Sequence, residues 1–173
     1  MQRRRVIALL YRSALAGFGA LGLSACGFKL RGAQNYAFQT LAVLPQPGGA
    51  LAQELRRSFD SSVRVLASGE ALTQAQMVLD IVQEQREKSV VGVNSSGQVR
   101  EFQLRVRVKF SVRTPQGKEL APAAEVLLQR DISFNETAVL AKEAEEALLY
   151  RDMQTDAVQQ LVRRLAAVKS LAP

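Results

Sequence analysis

The chain has 173 residues, with 23 Lys and Arg against 16 Asp and Glu for a net charge of +7, and it contains one Cys, no His and no Trp. The lack of His removes the usual general base near neutral pH and the commonest metal ligand, and a single Cys excludes an intramolecular disulfide and any multi-cysteine metal site. With 47% hydrophobic residues the chain is too apolar to stay disordered, and its length suits one domain. The positive excess invites a nucleic-acid or membrane reading, which turns on where the charge sits.

Four of the basic residues, Arg3, Arg4, Arg5 and Arg12, precede an apolar run of small residues over positions 13–25. A basic start, a short apolar segment and a small-residue end are the layout of an export signal. The run is short of the roughly 20 residues that span a bilayer. Its arginines match a twin-arginine pattern only loosely, so the general secretory route is the expected one. Leu23-Ser24-Ala25-Cys26 resembles the bacterial lipobox. That resemblance implies removal of residues 1–25, a diacylglycerol on the Cys26 thiol and an N-acyl chain on its amine. Gly27, in place of Asp, implies sorting to the outer membrane. More than one acyl chain gives stable anchoring. Removing the four basic residues from the 23 leaves 19 against 16 acidic ones in residues 26–173, a net +3. Most of the nucleic-acid reading goes with them, and no nucleic-acid partner is expected.

Residues 26–36 read as a lipidated start and tether, and residues 37–173 as one domain. Positions 38–44 read as a strand stopped by Pro45-Gln-Pro-Gly-Gly49. Residues 50–61 read as a helix whose Leu51, Leu55 and Phe59 share a face. A short strand over 63–66 and a polar turn over 68–74 follow. Met77, Leu79 and Ile81 alternate at the start of a further strand, which becomes polar and ends in the hairpin tip Asn94-Ser-Ser-Gly97. Phe102, Leu104, Val106, Val108, Phe110 and Val112 then alternate with Gln103, Arg105, Arg107, Lys109, Ser111 and Arg113. This strict period of two predicts a strand with one core face and one cationic face. After a turn over 114–118, positions 125–135 read as the return strand, with Val126, Leu128, Ile132 and Phe134 on one side. From Leu140 onward, after a cap at Asn135 or Thr137, the chain reads as a long helix. Its stripe is Tyr150, Met153, Ala157, Leu161, Leu165 and Val168, widened by Val158 and Val162. The expected fold is α+β, with two helices on one face of a mixed, largely antiparallel sheet of about four strands.

Enzyme signatures are lacking: there is no G-x-S-x-G, no phosphate-binding glycine loop and no His for a triad. Glu143, Glu145 and Glu146 lie early in a helix, where carboxylates suit the helix dipole. The chain therefore reads as a non-enzyme. The cationic face is the feature that needs a purpose. Arg105, Arg107, Lys109 and Arg113 share one side of a strand, and Arg86, Lys88 and Arg130 are candidates to join them. Three readings stand: a solvated face with ion pairs to Glu84, Glu87 or Asp131, a site for phosphate-bearing lipopolysaccharide, or a contact with the polar lumen of a β-barrel.

The segment Cys26-Gly-Phe-Lys-Leu-Arg-Gly32 resembles the start of mature proteins of the LptE lipopolysaccharide-assembly family. The element order is similar too. So are Gly97-Gln98, Phe102-Gln-Leu104, Ala138-Val-Leu-Ala-Lys142 and Ala157-Val-Gln-Gln-Leu-Val-Arg-Arg-Leu165. The resemblance implies an outer-membrane lipoprotein that occupies the lumen of the LptD β-barrel, assists its assembly and binds lipopolysaccharide in transit. It also implies a contact at Lys142, which matches a basic family position. The tip carries Asn94-Ser-Ser-Gly97 where some relatives have a basic residue, and Arg100 stands near enough to substitute. The alternative is another envelope-assembly lipoprotein with a different partner and no lipopolysaccharide role.

Overall fold

The computed structural model describes residues 35–59 and 61–171. The expected export signal, Cys26 and the tether as far as residue 34 lie outside them. Strand β1 (Thr40–Leu44) is followed by helix α1 (Ala50–Arg57), a two-residue strand β2 (Arg64–Val65), long strands β3 (Met77–Val93), β4 (Val99–Arg113) and β5 (Glu119–Ser133), and helix α2 (Val139–Ala166). The sheet order is β2-β1-β3-β4-β5, with β1 parallel to β2 and β3 and the remaining pairs antiparallel. The α+β expectation is met, with five strands in place of about four. The fifth is β2, which lies inside the short strand expected over 63–66.

Both helices cover the same face. Leu51 and Leu55 of α1 and Met153, Ala157, Leu161 and Leu165 of α2 share one core with Leu41, Val43, Leu79, Leu104, Val106 and Val108 of the sheet. The stripe expected on α2 is therefore the buried one. On the other face a small second core of Ala42, Leu66, Ala75 and Val78 covers only the β1–β3 end.

Two boundaries differ from the sequence reading. Helix α1 stops at Arg57, because the Ser58 N–H and hydroxyl both donate to the Leu55 carbonyl (3.1 and 2.6 Å). That releases Phe59 to pack on Tyr36, ring centroids 5.5 Å apart. Strand β3 reaches Val93, next to the tip as expected, with its register to β4 shifted at Gly92. Strand β5 begins at Glu119, six residues before the expected start. Pro122 is tolerated inside it because the register shifts there and β5 is an edge strand, where a missing N–H costs no ladder bond. The hairpin tips fall where expected. Gly97 and Gly117 both have positive φ (77° and 94°), a conformation open to glycine without strain.

Candidate functional site: two cationic surfaces

Antiparallel register decides which cations meet. Glu87 pairs with Arg105, Gln85 with Arg107 and Gln83 with Lys109 on one side, and Gln129, Leu127 and Glu125 pair with the same three on the other. These residues form the sheet face away from the helices. Arg105 donates to Gln103 Oε1 from Nε and Nη2 (2.8 and 2.6 Å). Arg107 lies 3.5 Å from Glu125, and Arg113 Nε is 2.6 Å from Asp80 Oδ2. Among the described residues, the Lys109 ammonium has no hydrogen-bond or ion-pair partner. The face is thus a band of Arg, Lys, Gln and Glu with much of its charge neutralised locally. Ion pairs do form on it, but with Glu125 and Asp80, while Asp131 accepts instead from Gln103 Nε2 at 3.1 Å.

Arg86, Lys88 and Arg130 do not join this face. They pair with Val106, Leu104 and Leu104 respectively, which places them on the helix side of the sheet. There they fasten α2. Arg86 Nη2 donates to Gln154 Oε1 (2.6 Å), Lys88 Nζ to Glu146 (2.6 Å) and Arg130 Nη2 to Asp156 (3.2 Å). Two physical reasons apply: the register shift between Ile81 and Gln83 moves Arg86 and Lys88 to the side that Met77, Leu79 and Ile81 occupy before it, and Arg130 shares the even-numbered side of Val126, Leu128 and Ile132. Gln154 also donates to Glu54 Oε2 (2.6 Å) and Thr155 to Glu54 Oε1 (2.8 Å), which ties α1 to α2 through one carboxylate.

The second cationic surface is a pocket of about 240 Å³ where the first turns of α2 meet the far ends of β4 and β5. Its lining mixes Lys88 and Lys142 with Phe102, Ile132, Phe134 and Val139, and with Glu143 and Glu146. Lys88 Nζ sits 4.3 Å above the Phe102 ring, within range of a cation–π attraction. Phe102 meets Phe134 edge to face at 5.3 Å. Lys142 Nζ donates to Ser133 Oγ (2.9 Å) and Glu145 Oε2 (2.8 Å). Asn135 Oδ1 accepts from the Thr137 N–H (3.0 Å), which caps the turn leading into α2 and so places Lys142 one helical turn inside it. Arg100 lies just beyond: its carbonyl accepts from Phe134 N (2.7 Å), and its Nη2 donates to Gln98 Oε1 (3.2 Å).

The candidates named from sequence therefore split. Arg105, Arg107, Lys109 and Arg113 share the outer face, Arg113 being committed to Asp80. Lys142 belongs to the pocket and Arg100 to the backbone beside it. Sequence reading missed Phe134, Val139 and Ile132 as pocket walls and misplaced Lys88. The only signal for them was an apolar–basic mixture at the far ends of β3 and β5. Chemically, the pocket offers ammonium groups beside apolar walls, a combination suited to a ligand that is both anionic and apolar. An entering anion competes with Glu145 and Glu146 for the two lysines.

A family model described as LptE, lipopolysaccharide-assembly, matches residues 33–165. The chain is 30% identical over 169 residues to the LPS-assembly lipoprotein LptE of Yersinia pestis (strain Pestoides F), covering 96% of this chain and 78% of that protein. The same figures hold for the protein of that name from Yersinia pseudotuberculosis serotype O:1b (strain IP 31758). Among solved structures, an uncharacterized lipoprotein B from Nitrosomonas europaea is similar with a TM-score of 0.71 and 35% identity, over 82% of this chain and 91% of that one. Rare lipoprotein B from Shewanella oneidensis has a TM-score of 0.61 at 24% identity, over 74% of this chain and 94% of that one, and shares the fold.

Proposed function

The chain belongs to the LptE lipopolysaccharide-assembly family, and we propose that it is an outer-membrane lipoprotein that plugs and assists assembly of the LptD β-barrel and binds lipopolysaccharide on its way to the cell surface. The observation that carries the reading is the family match over residues 33–165. Two features of the molecule support the finer parts. The broad outer face of Arg, Lys, Gln and Glu is a surface that a polar barrel lumen can solvate without desolvating bare charge. The Lys88–Lys142 pocket sets ammonium groups beside Phe134, Ile132 and Val139, which matches a phosphorylated, acylated ligand. The role is non-catalytic: the protein holds the barrel lumen and offers the anionic ligand a transient cationic-and-apolar foothold. Cys26 is proposed to carry the diacylglycerol and N-acyl chains, with the domain held at the periplasmic side or inside the lumen. No helix among the described residues is long and apolar enough to cross a membrane.

Two measurements test this. When the lipidated protein is isolated from detergent-solubilised outer membranes, a large β-barrel of LptD size is expected to co-purify in stoichiometric amount; its absence removes the plug reading. Lys88→Glu with Lys142→Glu is expected to weaken lipopolysaccharide binding at least tenfold. Arg105→Glu, Arg107→Glu and Lys109→Glu together are expected to reduce barrel recovery more than lipopolysaccharide binding. If lipopolysaccharide affinity follows the outer-face variant instead, the pocket is not the foothold.

A further inference from the structure

The two edges of the sheet are unlike. One is β2, two residues long. The other is β5, fifteen residues long. From the Lys109–Glu125 pair to the Glu101–Ser133 pair its register to β4 is unbroken. In an antiparallel pair, alternate residues turn both backbone groups toward the neighbour or away from it. Phe134 N donates inward to Arg100, so the even-numbered residues of this stretch face β4 and the odd-numbered ones face out. Two independent contacts agree. The Glu125 carbonyl accepts from Arg164 Nη1 (2.9 Å) and the Gln129 carbonyl from Arg130 Nη1 (3.1 Å), both from outside the ladder. Among the described residues, no group reaches the outward N–H and carbonyl of Leu127 and Asp131.

Natural edges of this length are blunted by lysines, prolines, bulges or a covering element. This one carries no Lys, and its Pro122 and register shift lie before residue 125. The side chains of the outward residues are informative as well. Leu127 is 44% exposed on a face that is otherwise polar, and it is flanked on the edge by Glu125 and by Gln129 and Asp131. Cross-strand neighbours prefer apolar beside apolar and opposite charge beside charge. We propose that β5 is a docking edge to which an extended segment of the β-barrel partner adds as a sixth strand. Its apolar side chain would lie opposite Leu127, with a basic one opposite Asp131. At about 3.3 Å per residue, positions 125–133 offer roughly 27 Å of template. The mode of docking rests on the barrel reading above.

Amide hydrogen exchange on the full lipidated chain, free and in outer-membrane complexes, tests the edge directly. The amides of Leu127, Gln129 and Asp131 are expected to slow at least tenfold in the complex, while those of Leu128 and Arg130 are already slow in the free protein. Equal exchange of Leu127 and Asp131 in both states overturns the proposal, even if the barrel co-purifies and the plug reading stands. Slowing without a co-purifying barrel overturns that reading and leaves the edge engaged by another chain. Slowing that depends on protein concentration, with a doubled mass in light scattering, identifies a second copy and also overturns the proposal. A variant sharpens the outcome. Leu127→Pro deletes only an outward N–H, so its thermal midpoint should stay near wild type while barrel recovery falls at least tenfold. Leu127→Lys keeps the N–H and blunts the edge, and serves if the proline variant does not fold. Full barrel recovery by either folded variant refutes strand addition.

Discussion

Strand β3 has two halves that live in different surroundings. At its start, Met77, Val78 and Leu79 are wholly buried, because the helices cover one face and the small core of Ala42, Leu66 and Ala75 covers the other. At its end, Val90, Val91 and Val93 are 50, 49 and 59% exposed. Val78 and Val93 are the same residue in the same strand, yet one holds the domain together and the other faces out. Stability is concentrated where layers stack on both sides. The half that projects past them carries the pocket, the hairpin tip and much of the open edge. A protein that must be solid at one end and offer surfaces to partners at the other is built in this way.

The largest effect should come from the packed half. Leu161→Ala removes a fully buried side chain from between α2 and the sheet and leaves a cavity. It is expected to cost about 3 kcal/mol of unfolding free energy in urea titrations. A loss under about 1 kcal/mol would mean that the helices can close over the gap and that the core is less rigid than its burial implies.

Arg56 comes next. Its guanidinium donates to the carbonyls of Val43 (2.8 Å), Pro45 (2.9 Å) and Pro47, and so clamps the turn between β1 and α1. Burial lowers its pKa from the ordinary arginine value. Arg56→Ala leaves those carbonyls without their donor and is expected to cost about 2 kcal/mol. Arg56→Lys should recover only part of it, because one ammonium cannot match the planar fork.

A smaller effect is lost only at alkaline pH. The Tyr150 hydroxyl donates to the Glu87 carbonyl at 2.8 Å. Its pKa is raised, first by burial and then by Glu146. A raised pKa means that the folded state favours the neutral phenol. The contribution is therefore complete below the free tyrosine value of about 10 and is lost as the pH climbs through the folded-state value. Melting temperatures of wild type and Tyr150→Phe should differ at pH 8 and converge as the pH rises above 10. A gap that stays constant would assign the difference to packing.

Smallest of all is the projecting half. Val91→Ser with Val93→Ser is expected to change stability by less than about 0.5 kcal/mol, since neither side chain is buried. If the pair proves as costly as Arg56→Ala, the far hairpin belongs to the cooperative core and the contrast between the halves is weaker than burial suggests.

Much of this architecture was legible in the residue pattern. The alternation of Phe102, Leu104, Val106, Val108, Phe110 and Val112 is a local property of one strand, and so is the spacing of Met153, Ala157, Leu161 and Leu165. Each names a buried face without reference to any other segment. The outer face holding Arg105, Arg107 and Lys109 follows from the same pattern. Lys142 was legible only through resemblance, and its pocket left no more than an apolar–basic mixture at two strand ends, because Lys88, Phe102, Phe134 and Val139 come from four separate segments.

By itself the sequence determined which residues face inward along β4 and α2, since dihedral geometry fixes the periods of two and 3.6 residues. It also determined the turns at Gly97 and Gly117, where the backbone needs positive φ. Tertiary structure alone decided the rest. The register shift after Ile81 turned Arg86 and Lys88 toward α2, because a shift of one residue exchanges the two faces. Pairing left β5 at the edge with its odd-numbered backbone groups turned outward, because which strand lacks a neighbour is a property of the whole sheet.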